Sequence, residues 1–422
     1  MNRITGLMQN QNLIKHIQNQ KVEMDKLQNQ LATGQKITRP GEAPSNAANQ
    51  MYFKTRLIET QQFEKNVYEA IDRINLTDGQ LSTITDILQR VRVLAVQASN
   101  GIYQGDNAFD LKHAIASEID QHLRALIDIA NTTDATGRPL FGGFFVERKP
   151  FEPIVADIET PDGIKLENQI IGVEYRGDIG KRLVEIDRNE YIDVNLPGNR
   201  VFWGTNMVIV GNVDASGYIA TSNQKFKIND VTIEVNIGDT IDDIIDKINK
   251  AGIEVRASKV GQDNLALHTI TPHQIWLEDL EGGTVLQDLG LINPDQPQPP
   301  NNYNPLARVE GLSLFDVLIK FRNDLLKGDQ LEISGQDIGN LDVALENLLR
   351  YRSELGARHN RLEEFAKKIS WDKITLTELV AKTEGIDYAE TIMNLKWIEN
   401  VYNYSLNVGA RIIRPTLLDF IR

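Results

Sequence analysis

A heptad seam in residues 63–98 constrains the fold more than any other feature of the sequence. Eleven positions alternate in steps of four and three residues, and ten of them are apolar. They are Phe63, Val67, Ala70, Ile74, Thr77, Leu81, Ile84, Leu88, Val91, Ala95 and Ala98. Because this repeat averages about 3.5 residues, it keeps one helical face against a partner and predicts a left-handed bundle. A break at 99–107 separates this helix from a third one predicted at about 108–131.

Weaker seams lie near both ends of the chain. Between residues 13 and 31 the same spacing selects Leu13, Ile17, Gln20, Met24, Leu27 and Leu31. Gln and Asn occupy much of the remaining surface, so this helix buries little by itself and is marginal without a partner. From residue 338 a seam resumes with Leu341, Leu345, Leu348, Leu355, Leu362, Ala366 and Ile369. The segment at about 372–413 mixes apolar residues that include Ile398, Val401, Leu406 and Ile412.

The stretch LATGQKITRPGEAPSNAANQ, residues 31–50, separates the first two predicted helices. Gly34 can adopt a positive φ and end the first helix. Pro40 biases Arg39 away from helix, and Pro44 or the residue after it can begin the second helix. The residues alone leave two interpretations open, an ordinary loop between helices or a crossing between two layers of a polymer.

Between about 145 and 292 the apolar period shifts towards two, which predicts strands. The segment KFKINDVTIEVNI, residues 225–237, alternates as a half-buried strand pair would. A short amphipathic helix is predicted at 239–252, with Asp239 or Thr240 as its cap and Gly252 at its end. Further strands are predicted at IEVRAS and NLALHTI. A Pro-rich spacer, residues 293–305, is expected to be extended and poorly packed. Helices at both ends therefore bracket an inserted α+β region.

The charge and residue inventory argues against catalysis and against nucleic-acid binding. A net charge of −14 disfavours contact with phosphate backbones. Zero cysteines exclude disulfides and thiolate metal sites, and the six histidines are scattered. The sequence contains no Gly-rich phosphate-binding motif and no nucleophile-elbow motif. We therefore expect no cofactor, no metal and no enzymatic activity.

The two ends of the sequence bear on where the chain acts. No run of 18 apolar residues is present, so we expect no membrane insertion. The first residues lack the pattern of a cleaved signal peptide, which leaves a cytoplasmic protein or one exported uncleaved through a dedicated channel. The C-terminal GARIIRPTLLDFIR concentrates apolar residues that either pack in the bundle core or stay exposed until a partner buries them.

Several stretches together resemble the bacterial flagellin-like superfamily. LATGQKITRPGEAPSNAA is similar to the loop between the first two helices of that family, and LGARHNRLE to its C-terminal heptads. ANTTDATGRPLFGGF and the C-terminal IDYAETIMNLKWIENVYNYSLNVGARIIRPTLLDFIR resemble its hook–filament junction members more than flagellin itself. FKINDVTIEVNIGDTIDDIIDKINKAGIEVRAS resembles a small α+β module of the family. The family loop usually carries Asp-Asp-Pro where this chain has Glu42, Ala43 and Pro44.

The resemblance implies a mainly α fold with an inserted α+β domain. In this fold, long heptad-bearing helices from both termini form a flagellin-like rod, and an outer strand-rich domain lies in the middle of the chain. Residues 1–40 and 385–422 would form an inner-tube layer that is disordered in the monomer. Residues 41–145 and 311–384 would form a heptad bundle, and residues 146–310 an outer domain that includes the spacer.

The resemblance also implies an assembly role with stated residues and partners. The expected assembly interface is Leu13, Ile17, Met24, Leu27, Leu31, Ile398, Val401, Leu406, Ile412, Leu417, Leu418 and Phe420. Gly34, Pro40 and Pro44 would form the turn that crosses between layers. Expected partners are further copies of the chain in a head-to-tail layer, hook-associated protein 1, flagellin and a flagellar secretion chaperone. The expected location is the flagellum, external or periplasmic, after export without cleavage.

Two alternatives remain open from the sequence. One is flagellin proper, a filament subunit that would be distributed along the whole filament. The other is a cytoplasmic coiled-coil scaffold or enzyme subunit, which would have a folded N-terminus in the monomer and would not be secreted.

Overall fold

Long helices at both ends of the chain frame the computed structural model. The structure describes residues 6–37, 39, 41, 43–99, 108–146, 149–161, 163–261, 263–280, 282–300 and 302–412. Its helices are α1 (Gly6–Thr33), α2 (Pro44–Ser99), α3 (Ala108–Ala130), α4 (Gly198–Phe202), α5 (Ile241–Lys250), α6 (Val285–Asp288), α7 (Leu314–Lys327), α8 (Gln330–Glu332), α9 (Ile338–Glu384) and α10 (Tyr388–Ile412). A π-helical turn, Ile333–Asp337, precedes α9. The helices predicted at both ends are confirmed, while the predicted break at 99–107 falls almost wholly outside the described residues.

The heptad seam of α2 is buried as its spacing predicts. Every seam residue from Val67 to Ala98 is buried, and only Phe63 at its start is half-buried. In α9 the seam residues Leu341, Leu348, Leu355, Leu362 and Ile369 are buried. Two ion pairs join the antiparallel α2 and α9, Arg92 Nε to Asp342 Oδ1 at 2.6 Å and Arg352 Nε to Asp78 Oδ1 at 3.1 Å.

The chain divides into two compact units. One contains residues 1–66 with 364–422, and the other contains residues 67–363. The first unit is built from the ends of the chain, and the second contains the inserted strands. The layered division expected from the sequence, with bounds at 40 and 385, stays a prediction.

The inserted region consists of short antiparallel sheets. Its strands are β1 (Phe151–Glu159), β2 (Lys165–Tyr175), β3 (Leu183–Asp187), β4 (Glu190–Asp193), β5 (Val208–Asp214), β6 (Gln224–Ile228), β7 (Val231–Val235), β8 (Val255–Val260), β9 (Asn264–Thr269), β10 (Leu277–Leu280) and β11 (Arg308–Glu310). β1–β2 and β3–β4 are hairpins, and the larger sheets have the orders β10-β6-β7 and β11-β5-β9-β8. The mainly α class with an inserted α+β region is confirmed.

Helix α5 closes the core of the two larger sheets. Its N-cap is Thr240, whose hydroxyl accepts from Asp243 N while the Asp243 carboxylate accepts from Thr240 N at 2.9 Å. This capping box satisfies backbone donors that the first helical turn leaves unpaired. Ile244 and Ile248 are fully buried on its inner face, against residues that include Phe226 and Leu267. Of the two predicted caps, Thr240 is the one used.

The Pro-rich spacer packs more tightly than predicted. Asn302 is buried, and its Nδ2 donates to Leu277 O at 2.8 Å and to Pro297 O at 2.9 Å. Tyr303 Oη donates to Ile275 O at 2.8 Å. The prediction of poor packing was therefore wrong for the second half of the spacer. The reason is that polar side chains, which composition alone suggests face solvent, here satisfy backbone carbonyls of strand β10, of the segment before it and of the spacer itself.

Candidate assembly interface

Helices α1 and α10 lie against each other in the unit formed by the chain ends. Gly409 is buried at their contact, and a Cβ atom added to it would lie 3.3 Å from Leu13 Cδ2 and 3.8 Å from Ile17 Cδ1. A residue without a side chain at this position lets the two helical backbones approach closely. The weak N-terminal seam therefore faces the last described helix of the same chain.

The structure places most predicted assembly residues along this helix pair. Leu13, Ile17, Met24, Leu27, Leu31 and Val401 are half-buried, Ile398 is buried, and Leu406 is exposed. Ile412 is the last residue of α10, and its side chain is outside the description. Leu417, Leu418 and Phe420 lie outside the described residues. The seam thus retains apolar surface that a single chain does not cover.

The turn after α1 pairs with the break between α9 and α10. Gly34 has φ +71°, as the sequence predicts for a residue that ends a helix. Gln35 forms an antiparallel bridge with Gly385, and Lys36 N donates to Glu384 O at 2.8 Å. The Glu384 carboxylate also accepts from Gln35 Nε2 at 2.5 Å and pairs with Lys54 Nζ at 2.7 Å. Two interruptions of helix, far apart in sequence, are thereby fixed to each other.

The start of α2 also follows the sequence prediction. Pro44 is the first residue of α2, where its missing N–H costs no intrahelical hydrogen bond. Pro40, the other proline assigned to the turn, lies outside the described residues.

Large apolar side chains are exposed on the unit formed by the chain ends. They are Met8, Ile14, Val22, Met51, Tyr52, Ile58, Trp371, Ile374, Tyr388, Ile392, Met393, Trp397, Tyr404, Leu406 and Val408. Trp397 is 66% exposed and Tyr404 71% exposed. Isolated exposed apolar residues are ordinary, but fifteen of them on four helices of one unit, aromatic side chains included, offer apolar area that another protein can cover. We call these fifteen residues the apolar surface.

Except for Leu406, the apolar surface was missed by the sequence prediction, although a signal for part of it exists. Met393, Trp397, Tyr404 and Val408 are spaced by four, seven and four residues. Such spacing places them on one face of α10. A single-seam interpretation selected only the face that contains Ile398 and Val401.

The motif at 131–144 has a structural role in the unit of residues 67–363. Asp134 accepts from Thr136 N at 2.9 Å and Arg138 N at 3.0 Å, and it pairs with Arg73 Nη1 at 2.6 Å. The loop then delivers Phe141 into a buried aromatic cluster with Phe202, whose ring centroid lies 5.4 Å away. Edge-to-face contacts of this kind stabilise a core beyond simple area burial. The motif therefore connects helix α2 to the inserted region.

Two features are absent from the described residues, a cluster that could hold a metal ion and a helix that could cross a membrane. Among them, no three His, Asp or Glu side chains converge so as to hold a metal ion. No helix within the described ranges has both the length and the apolarity to cross a membrane.

Comparisons with known families identify the helical and inserted regions. The bacterial flagellin N-terminal helical region matches residues 4–145, and the bacterial flagellin C-terminal helical region matches residues 338–421. The flagellin hook IN motif matches residues 219–271, which confirms the α+β module inferred from sequence.

Individual relatives are similar over part of their length. The chain is 30% identical over 147 residues to flagellar hook-associated protein 3 of Escherichia coli, covering 35% of this chain and 45% of that protein. It is 30% identical over 115 residues to the flagellar filament 30.7 kDa core protein of Treponema maltophilum, covering 27% and 39%. The chain thus spans less than half the length of these relatives. The crystal structure of flagellar hook-associated protein 3 from Legionella pneumophila is 20% identical, with 78% and 98% coverage and a TM-score of 0.42.

Proposed function

Since the chain belongs to the flagellin-like superfamily of structural flagellar proteins, we propose that it polymerises at the hook–filament junction and links hook-associated protein 1 to flagellin. The observation that carries the proposal is the apolar surface on the unit formed by the chain ends. A binding role follows from that surface.

Polymerisation would bury the apolar surface against a neighbouring copy of the chain. When a neighbouring copy removes Trp397 and Tyr404 from water, each apolar Å² buried contributes about 25 cal/mol. Contacts of this kind repeat head-to-tail without closing, which builds a helical layer. Neighbouring copies can also complete the burial of the half-buried seam between α1 and α10.

The weak burial of the seam between α1 and α10 suits a chain that is exported first and orders these helices only on assembly. A seam of half-buried residues holds α1 and α10 together only marginally, and neighbours meet the cost of ordering them. Ordering on assembly prevents polymerisation before export, and a secretion chaperone would cover the apolar surface until then. In the isolated chain, limited proteolysis should cleave residues 6–33 before it cleaves α2. Equal resistance of α1 and α2 would contradict ordering on assembly.

Flagellin proper is the second candidate function. The match to a filament core protein favours it, because that relative is as identical over its aligned region as hook-associated protein 3 is. The apolar surface supports polymerisation in either position, and the preference for the junction rests on the longer match to hook-associated protein 3 and on the C-terminal sequence pattern.

Immunogold labelling of isolated flagella distinguishes these functions. Antibody raised against residues 146–310 should give one cluster at the hook–filament boundary, and flagella from a strain lacking the gene serve as the control. Label along the whole filament would establish flagellin instead. Flagella without label would favour a cytoplasmic scaffold. Thin sections of whole cells would show whether the labelled flagella lie outside the cell or in the periplasm.

A further inference from the structure

A cavity of about 360 Å³ lies between α3, α7 and β2 in the unit of residues 67–363. Its lining is mostly polar and includes Ser117, Asp120, Arg124, Gln169 and Arg322. On the scale of about 30 Å³ per water molecule, the cavity has room for a small ion and several waters. None of these residues belongs to the proposed assembly interface.

Arg322 is a buried cation whose three guanidinium nitrogens each have one hydrogen-bond partner. Only 1% of the residue is exposed. Its Nη1 donates to Asp120 Oδ1 at 3.1 Å, and its Nε and Nη2 donate to Asn323 Oδ1 at 3.2 and 2.9 Å. These bonds engage three of the five N–H groups that a guanidinium carries. A buried charge is costly unless opposite charge and hydrogen bonds surround it.

The carboxylate that faces Arg322 is shared with a second cation. Arg124 Nε donates to Asp120 Oδ2 at 2.7 Å, and Arg124 Nη2 donates to Asn168 O at 2.8 Å. Asp120 is the one acidic side chain among the described residues that line the cavity. Two guanidinium groups on one carboxylate leave a surplus of one positive charge, and the Arg124 side chain, which is 41% exposed, opens the site to solvent. Burial lowers the pKa of Arg322, and Arg124 lowers it further although Asp120 raises it, as expected for incomplete compensation.

We propose that this cavity binds one small oxyanion, of the phosphate or carboxylate class, between Arg124 and Arg322. The planar fork of arginine matches paired oxyanion oxygens, and charge-assisted hydrogen bonds of this kind are about twice as strong as neutral ones. Ser117 and Gln169 supply neutral donors at the same cavity. The anion neutralises the surplus charge and connects α3, α7 and β2. Because it binds the folded state alone, it stabilises that state in proportion to its concentration.

The experiment is a titration of the purified full-length chain with sodium phosphate, with sodium chloride at matched ionic strength as the reference. Arg124→Gln removes one cation of the site, and Arg90→Gln is the matched control. Arg90 Nη2 pairs with Glu118 Oε1 at 2.8 Å, so the control also removes an arginine that contacts α3. Phosphate stabilises every folded protein to some extent by exclusion, so the difference between variants is the informative quantity.

We expect calorimetry to show saturable binding of one phosphate per chain in the wild type and in Arg90→Gln. Binding should be about tenfold weaker in Arg124→Gln, since it loses a charge-assisted hydrogen bond. A sodium acetate arm distinguishes a carboxylate ligand from phosphate. Broadening of the phosphate ³¹P resonance by wild-type protein, reversed by sulfate, tests the site without any variant. Linear, unsaturable behaviour, or equal binding by Arg124→Gln, would overturn the proposal.

Discussion

Asp337 is a fully buried carboxylate at the end of the π-helical turn. Lys320 Nζ lies 3.1 Å from Asp337 Oδ1, and the same ammonium also contacts Asp324 at 3.0 Å and Glu332 at 2.8 Å. Asp337 Oδ2 has no hydrogen-bond partner within the described structure. Burial raises the pKa of Asp337 to about 6, although Lys320 opposes this shift. Three carboxylates therefore share one cation at the junction of α7 and α9.

This raised pKa predicts a pH dependence of stability. Between about pH 4 and pH 6 the folded chain retains a proton on Asp337 that the unfolded chain releases, so this contribution to stability falls as pH rises. Asp337→Asn keeps the shape and removes the buried charge, while Lys320 retains Asp324 and Glu332. We expect the variant to be more stable than wild type at pH 7, by roughly 1–3 kcal/mol. Thermal unfolding at pH 7 and pH 4.5 measures this gain, which should shrink at the lower pH.

Asp342 is a matched carboxylate for which the dependence of stability on pH has the opposite sign. The side-chain hydrogen bond from Arg92 lowers the pKa of Asp342, so its contribution is present at neutral pH and is lost on acidification through the folded-state pKa. Asp342→Asn should therefore lower the unfolding midpoint at pH 7, with a smaller effect at low pH. Parallel pH profiles for the two variants would contradict the assignment of Asp337 as the buried group.

At the scale of the element, the end of α1 depends on one backbone conformation. Gly34 has φ +71°, and a Cβ atom there would lie 2.9 Å from Tyr388 Oη. Gly34→Ala adds both backbone strain and a close contact, so we expect a loss of about 1–2 kcal/mol or more in the unit formed by the chain ends. Gly356→Ala is the control, since Gly356 is exposed inside α9 and a Cβ atom there meets nothing within 4 Å. The control should be neutral or gain up to about 1 kcal/mol. Hydrogen exchange of α1 and α10 amides measures the difference, and equal protection in the two variants would contradict it.

The buried seam of α2 predicts that truncating a seam residue lowers the stability of the folded chain much more than truncating an exposed residue of the same helix. Leu81 is completely buried, so Leu81→Ala should lower the free energy of unfolding by about 2–5 kcal/mol through lost burial and a residual cavity. Val93 lies on the same helix but is 57% exposed, and Val93→Ala should change stability by less than about 1 kcal/mol. Chemical denaturation of both variants tests the placement, and equal losses would show that the seam does not form the core.

Elements with strong periodicity were predictable, and scattered contacts were not. The α2 seam repeats over many turns, so its buried face could be identified from Val67 onwards. The aromatic cluster draws Phe141, Phe151, Phe202 and Phe315 from separate loops, strands and helices. No local pattern relates such positions, because only the tertiary fold brings them together. The pairing of Gly34–Lys36 with Glu384–Gly385 was unpredicted for the same reason.

At the scale of the whole molecule, charge and apolar surface have opposing effects on association. A net charge of −14 makes copies repel one another at long range. This repulsion is screened beyond about 8–10 Å at physiological salt, whereas apolar burial acts at contact. The sequence predicted the long helices at both ends of the chain, and their role in assembly stays a prediction. It missed most of the apolar surface because heptad spacing marks the face that packs within the chain, and an outward face has no such constraint.

Incorporation into the flagellum can therefore be separated from folding by choosing exposed residues. Trp397→Asp places a charge on the apolar surface at a residue that is 66% exposed. The variant should fold with an unchanged unfolding midpoint yet fail to incorporate, because a neighbour would have to bury an unpaired carboxylate. Asn403→Asp is the control, since it adds the same charge at an exposed polar position of α10. Leu27→Asp should also block incorporation, but it should loosen α1 from α10 because Leu27 is half-buried. Immunogold counts at hook–filament boundaries, with motility as a second readout, measure incorporation. Normal junctions with Trp397→Asp would show that the apolar surface is not the contact between copies.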